Sequence, residues 1–68
     1  MKRHICTMFE LEWRQGAEIH SEFFFTEAMA RAWSYYEVDP LSYDIYRTDK
    51  YKVDDHDFFY RKYLDGNY

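Results

Sequence analysis

Sixty-eight residues confine the chain to one small α+β domain over residues 1–68, with no room for a second. A net charge of −4 disfavours direct nucleic-acid binding and favours a basic protein surface as partner. A single cysteine, Cys6, excludes an intrachain disulfide, and no stretch approaches the ~20 apolar residues that a membrane span requires.

The opening Met1-Lys2-Arg3-His4 has the basic start of a signal peptide, but the apolar run that should follow fails at Glu10 and Glu12. Together with the free thiol, this suits a reducing cytoplasm. From Ile5 to Phe25 apolar and polar residues alternate, so two antiparallel strands with one buried face are predicted. Their connection is read as a three-residue loop, Arg14-Gln15-Gly16, with Gly16 at a left-handed position. This sets Trp13 opposite Ala17, Leu11 opposite Ile19 and Glu12 opposite Glu18.

Thr26 is a natural helix N-cap, and a helix over about 27–37 follows. Ala28, Met29, Ala32, Trp33, Tyr35 and Tyr36 fall on one face, predicted to be the buried one. Glu27, Ala30, Arg31, Ser34 and Glu37 fall on the other. Asp39-Pro40 closes the helix. Ser42 to Thr48 alternates again as a third strand. The predicted fold is therefore ββαβ, a three-stranded antiparallel sheet in the order 2-1-3 with the helix on one face. For the tail, acids at Asp54-Asp55-His56-Asp57 followed by Phe59, Tyr60, Tyr63 and Leu64 at helical spacing predict a short helix over about 55–64. The alternative is a fourth strand.

The residues that could carry chemistry do not converge. His4, Cys6, His20 and His56 are soft metal ligands, but in this register His20 lies ~20 Å along the sheet from His4, too far for one ion. His4 and Cys6 themselves share a strand face. Cys6 faces Phe24, an inert setting for a thiol. Only Gly16 and Gly66 are available, too few for a phosphate-cradling loop. No metal, cofactor or catalytic residue is predicted, and the chain is not read as an enzyme.

The predicted outer sheet face gathers Glu10, Glu12, Glu18 and Glu22 with no lysine, and Asp44 of the third strand points the same way. Glu12 directly opposite Glu18 costs stability, so the acidic field reads as a partner-binding surface. Beside it Met8 and Phe24 form an apolar patch, and Phe58 and Phe59 offer a second contact. Eight Tyr, six Phe and two Trp in so short a chain make self-association an expectation, since a domain of this size buries only about 60% of its unfolded surface.

In size, acidity, aromatic richness and absence of catalytic motifs, the chain is similar in character to the small inhibitors encoded by phages and mobile elements, anti-CRISPR proteins among them. The likeness covers composition and carries over no residues. It implies a small acidic interaction module that inhibits or modulates a partner by occluding a basic, nucleic-acid-binding surface. Two alternatives stand beside it. One is a structural homo-oligomer subunit. The other is a single-stranded nucleic-acid binder using the aromatic-basic segment Tyr46, Arg47, Lys50, Tyr51 and Lys52, which Asp44, Asp49, Asp54 and Asp55 flank.

Overall fold

The computed structural model describes residues 1–38 and 42–67. Strand β1 spans Lys2–Gln15, β2 Glu18–Phe24, helix α1 Glu27–Trp33, β3 Tyr43–Val53 and β4 His56–Asn67; a π-helical turn, Ser34–Val38, extends α1. The strands form one antiparallel sheet in the order β2-β1-β3-β4. The predicted closure of the helix by Asp39-Pro40 lies outside the described residues.

The helix predicted over 55–64 is replaced by strand β4, and the sheet has four strands rather than three. Asp54 and Asp55 are the reason: both adopt positive φ, 48° and 68°, in a two-residue connection that pairs Val53 with His56. Consecutive positive φ values are what a type I′ hairpin turn requires, and aspartate tolerates them better than most residues. The acids that resemble the first turn of a helix are therefore the tip of a hairpin. Beyond them, Phe58, Phe59, Tyr60 and Tyr63 are strand formers, and they pair along the edge that β3 would otherwise leave open.

The first hairpin also differs from its predicted register. Gln15 pairs with Glu18, Trp13 with His20, Leu11 with Glu22 and Phe9 with Phe24. The loop is the two residues Gly16-Ala17, with Gly16 at φ +63° in its first position, the pattern of a type II′ turn. This slip of three moves His20, Glu22 and Phe24 to the helix side of the sheet and turns Ile19, Ser21 and Phe23 outward.

Thr26 caps α1, its hydroxyl accepting from the Met29 amide at 3.2 Å. The helix nevertheless presents the opposite face from the one predicted. Ala30 and Ser34 are buried, whereas Met29, Trp33, Tyr35 and Tyr36 are exposed. One tie joins the helix to the sheet in this rotation: Arg31 donates to Asp65 of β4 at 2.9 Å. Within the helix Arg31 also donates to Glu27 at 2.9 Å, and Ser34 Oγ donates to the Arg31 carbonyl at 2.7 Å. Small side chains let the helix lie close to the sheet, while the large apolar ones are left outside. Among the described residues the buried apolar core is Leu11, Ala30 and Ile45, with Phe9, Trp13, Phe24, Tyr43 and Leu64 packed around it.

Two irregularities shape the strands. The register of β1 against β3 shifts between His4 and Cys6, so these residues face opposite sides of the sheet instead of sharing one. The β3–β4 register shifts between Ile45 and Tyr46, across from Leu64, which joins the core.

The glycines give a test of both corrected regions. A Cβ on Gly66 would meet the Tyr43 carbonyl oxygen at 2.9 Å, as well as the side chains of Tyr63 and Asp44. Gly66→Ala should cost about 1–3 kcal/mol through overpacking of the β3–β4 ladder. Nothing crowds Gly16, so Gly16→Val should cost about 1–2 kcal/mol from its positive φ alone. Thermal or urea unfolding reads both, and a Gly66→Ala protein as stable as its parent would remove β4 from this position.

Candidate functional site

Three surfaces are candidates for function, and the outer sheet face comes first. Glu10, Glu12 and Asp44 lie on it, but the predicted acidic field is not assembled there. Glu22 is on the helix side, and Glu18 pairs with Gln15 at the hairpin end rather than with Glu12. Arg61 of β4 reaches across β3 and donates to Glu10 through Nε at 3.1 Å and Nη2 at 2.9 Å, with Glu12 Oε2 at 3.5 Å. The guanidinium carbon sits 3.5 Å over the Tyr46 ring centre. Burial opposes the charge of Arg61, yet the bond and charge of Glu10 outweigh it and raise its pKa above the ordinary value. Burial, followed by the charge of Asp44, raises the Tyr46 phenol. Glu10 and Glu12 are only 13% and 23% exposed; Asp44 is 1% exposed, with Arg14 donating to it at 3.4 Å. The repulsion inferred between Glu12 and Glu18 does not arise, because Glu12 pairs with Ser21, and the carboxylates that do share this face are met by Arg61 and Arg14.

The apolar residues singled out in the sequence are also separated. Met8 lies on the outer face while Phe24 lies on the helix side opposite Phe9. Phe58 and Phe59, adjacent in β4, point to the helix side and the outer side respectively.

A second surface runs along the exposed side of α1. Phe24, Met29, Ala32, Trp33, Tyr36 and Glu37 line an open depression of about 290 Å³. The rings of Phe24 and Trp33 lie 5.9 Å apart on it. The depression falls just short of the ~300 Å³ at which small-molecule sites begin, and it is not enclosed, so a protruding protein side chain suits it better than a ligand.

The third surface is the helix-side face of the sheet beyond the reach of α1. The shift near Ile5 brings Lys2 and His4 onto this face with Thr7, opposite Val53, Tyr51 and Asp49. Phe58, Tyr60 and Lys62 of β4 continue it. Tyr51 meets the His4 ring edge-on at 5.3 Å and the Tyr60 ring at 5.4 Å. Lys2 Nζ lies 4.3 Å from the centre of Tyr51 and 5.2 Å from that of Tyr60. Thr7 donates its hydroxyl to Asp49 and lies 2.9 Å from His4 Nε2, while Arg47 also reaches Asp49. With its proton held by a carboxylate, the Thr7 hydroxyl acts as a bridge between β1 and β3. Tyr46 and Lys50 of the predicted aromatic-basic segment face the other way.

Charge divides along the same axis. Below the rung Phe9–Arg47–Lys62, that rung included, seven cations (Lys2, Arg3, Arg47, Lys50, Lys52, Arg61, Lys62) meet four carboxylates (Asp49, Asp54, Asp55, Asp57), a net of +3. In the helix-bearing half, eight described carboxylates (Glu10, Glu12, Glu18, Glu22, Glu27, Glu37, Asp44, Asp65) meet Arg14 and Arg31, a net of −6. The acidic total of the sequence conceals a polar molecule 43 Å long.

Among the described residues, no group of three or more His, Cys, Asp or Glu could hold a metal ion, and no helix is long and apolar enough to cross a membrane. Comparison of the chain with protein-family models, with curated proteins and with solved structures gives no match.

The Asp49 bridge has a measurable signature. The Thr7 hydroxyl, more than the charge of Arg47, holds the Asp49 carboxyl below the usual carboxylate range. A depressed carboxylate contributes stability above its unfolded pKa, about 3.9, which is lost as pH falls through the lower folded value. Thr7→Val should move the Asp49 titration upward, as seen by NMR, and shift the acid limb of unfolding to higher pH.

Proposed function

We propose that the protein is a structural subunit that works by self-association, joined to a second copy through the exposed side of α1. The observation that supports this is the orientation of the helix. Its most apolar stripe faces away from its own sheet, leaving Met29 51% and Tyr36 78% exposed beside Phe24 and Trp33, while the described core holds only Leu11, Ala30 and Ile45. Large contiguous apolar patches on a small protein mark interaction sites, and a core this thin gains most from a partner that covers them. A symmetric pairing of two such stripes would bury the Phe24–Trp33 depression against the Met29 and Tyr36 side chains of the second copy.

Sedimentation at micromolar concentration tests this. The wild-type protein should run as a dimer or higher species, and the double variant Met29→Glu/Tyr36→Glu as an 8.5 kDa monomer. Both positions are more than half exposed, so the monomer fold should tolerate the change. A weakening of at least ten-fold in the association constant, about 1.4 kcal/mol, is expected. A wild-type protein that is itself monomeric would exclude the reading.

The net charge of −6 on the helix-bearing half favours a second reading, an acidic module that meets a basic partner protein. Glu18 and Glu22 are exposed on β2, Glu18 beside His20 Nε2 at 3.0 Å, and present their carboxylates to such a partner. A complex of this kind should form at a rate that falls as salt rises, and Glu18→Lys/Glu22→Lys should slow its formation without lowering the melting temperature. An unchanged association rate would leave those acids as a solvated surface.

A further inference from the structure

We infer that the helix-free half of the helix-side sheet face binds single-stranded nucleic acid, with Phe58 and Tyr60 stacking on bases and Lys2, Arg47 and Lys62 meeting phosphates. Three observations converge on this ligand.

The first is the grouping of rings and cations on one sheet face. Tyr51 and Phe58 are cross-strand partners, Asp49 and Tyr60 the next pair on this face, and Arg47 and Lys62 the one after, so an aromatic stretch passes into a basic one along β3 and β4. Tyr51 packs against the Tyr60 ring edge-on at 5.4 Å, and Phe58 and Tyr60, two residues apart on β4, stand on the same face. Phe58 and Tyr60 are exposed, and Phe58 has no ring partner among the described residues. A base has a π face to offer such rings only when it is unstacked. A duplex hides those faces and is read instead by elements that enter a groove, so the platform selects a single strand.

The second is where the cations are. Lys2 and Lys62 make no ion pair among the described residues, and the Lys2 ammonium rests on the Tyr51 and Tyr60 rings. A cation held on ring faces can exchange that site for a phosphate and free the ring for a base. Arg47, the cross-strand neighbour of Lys62, is held through Nε and Nη2 on Asp49, which Thr7 and His4 also approach.

The third is the separation of charge. The chain is acidic in total, yet on this face of the helix-free half Lys2, Arg47 and Lys62 meet only Asp49 along the strands, while Arg3, Lys50, Lys52 and Arg61 face the other way and the acidic half lies at the other end of a 43 Å axis. At physiological salt the screening length is about 8 Å, so a bound strand responds to the local cations more than to the distant carboxylates.

Fluorescence anisotropy with labelled oligothymidylate and oligouridylate tests the proposal on the full chain. Binding at micromolar protein is expected. With three phosphates engaged, affinity should fall about twenty-fold between 50 and 200 mM salt. Phe58→Ala and Tyr60→Ala should each weaken binding at least about five-fold. Phe59→Ala, on the opposite face of the same strand, should leave it unchanged. The charge reversal Lys2→Glu/Lys62→Glu alters only exposed side chains, and should abolish binding while the circular dichroism spectrum is retained. No anisotropy change with either oligonucleotide, or equal losses in Phe58→Ala and Phe59→Ala, overturns the proposal. A third outcome also overturns it: neither strand binds, and the charge reversal dissociates an oligomer in sedimentation. That would assign the platform to the acidic half of a second copy. Because anisotropy reports strand binding directly, a monomeric wild-type protein would leave this inference standing.

Discussion

One constraint governs the structure: seven residues of α-helix, ~10 Å long, must serve as the second layer for a four-stranded sheet in a molecule 43 Å long. Coverage is therefore partial by geometry. Around Leu11 and Ile45 the helix excludes water, and there the buried core forms. Everywhere else the sheet is held by its ladders and by side chains that lie across its surface. Aromatic residues suit this role because a ring shields one neighbour while its other face remains in water. The pairs Tyr46–Tyr63, Tyr51–Tyr60 and Tyr51–His4 are packing of that kind.

Partial coverage also explains the arginines. On a sheet face without a second layer, a long side chain is the only group able to reach across a strand. Arg61 crosses from β4 to Glu10 and Glu12, lying over Tyr46 on the way. Arg31 does the corresponding work between α1 and β4 through Asp65, whose carboxyl that bond holds below its usual range. Exposed pairs of this kind contribute little individually. Arg61 neutralises carboxylates that would otherwise repel, and Arg31 ties the helix to β4 in the orientation that buries Ala30.

The rotation of the helix decides which residues form a surface. With Ala30 and Ser34 buried, the stripe Met29, Trp33 and Tyr36 is left exposed. At the far end, where no helix reaches, the sheet displays rings and cations. The proposed assembly surface and the proposed strand-binding platform thus occupy opposite ends of the long axis, and use of one leaves the other free.

The sequence by itself determined the elements whose signals are local. Period-two alternation marks β1, β2 and the start of β3, and Thr26 with Glu27 marks the start of α1, because side-chain direction and capping are decided within a few residues. The shortage of interior for so many aromatic residues was legible in the same way, from length and composition alone. Register, face and pairing were not. A Gly16-Ala17 turn and an Arg14-Gln15-Gly16 loop are both good hairpin chemistry, and the choice between them moved Phe24 and Glu22 to the other side of the sheet. Asp54-Asp55 suits a helix start as well as a type I′ turn; the open edge of β3, not the local sequence, selects the turn. Once β4 is a strand, Arg61 can reach Glu10 and Asp65 can reach Arg31. These contacts span 51 and 34 residues; one neutralises Glu10 and the other ties the helix to β4. Charge and apolar faces depend on long-range partners, so only the tertiary structure could decide them.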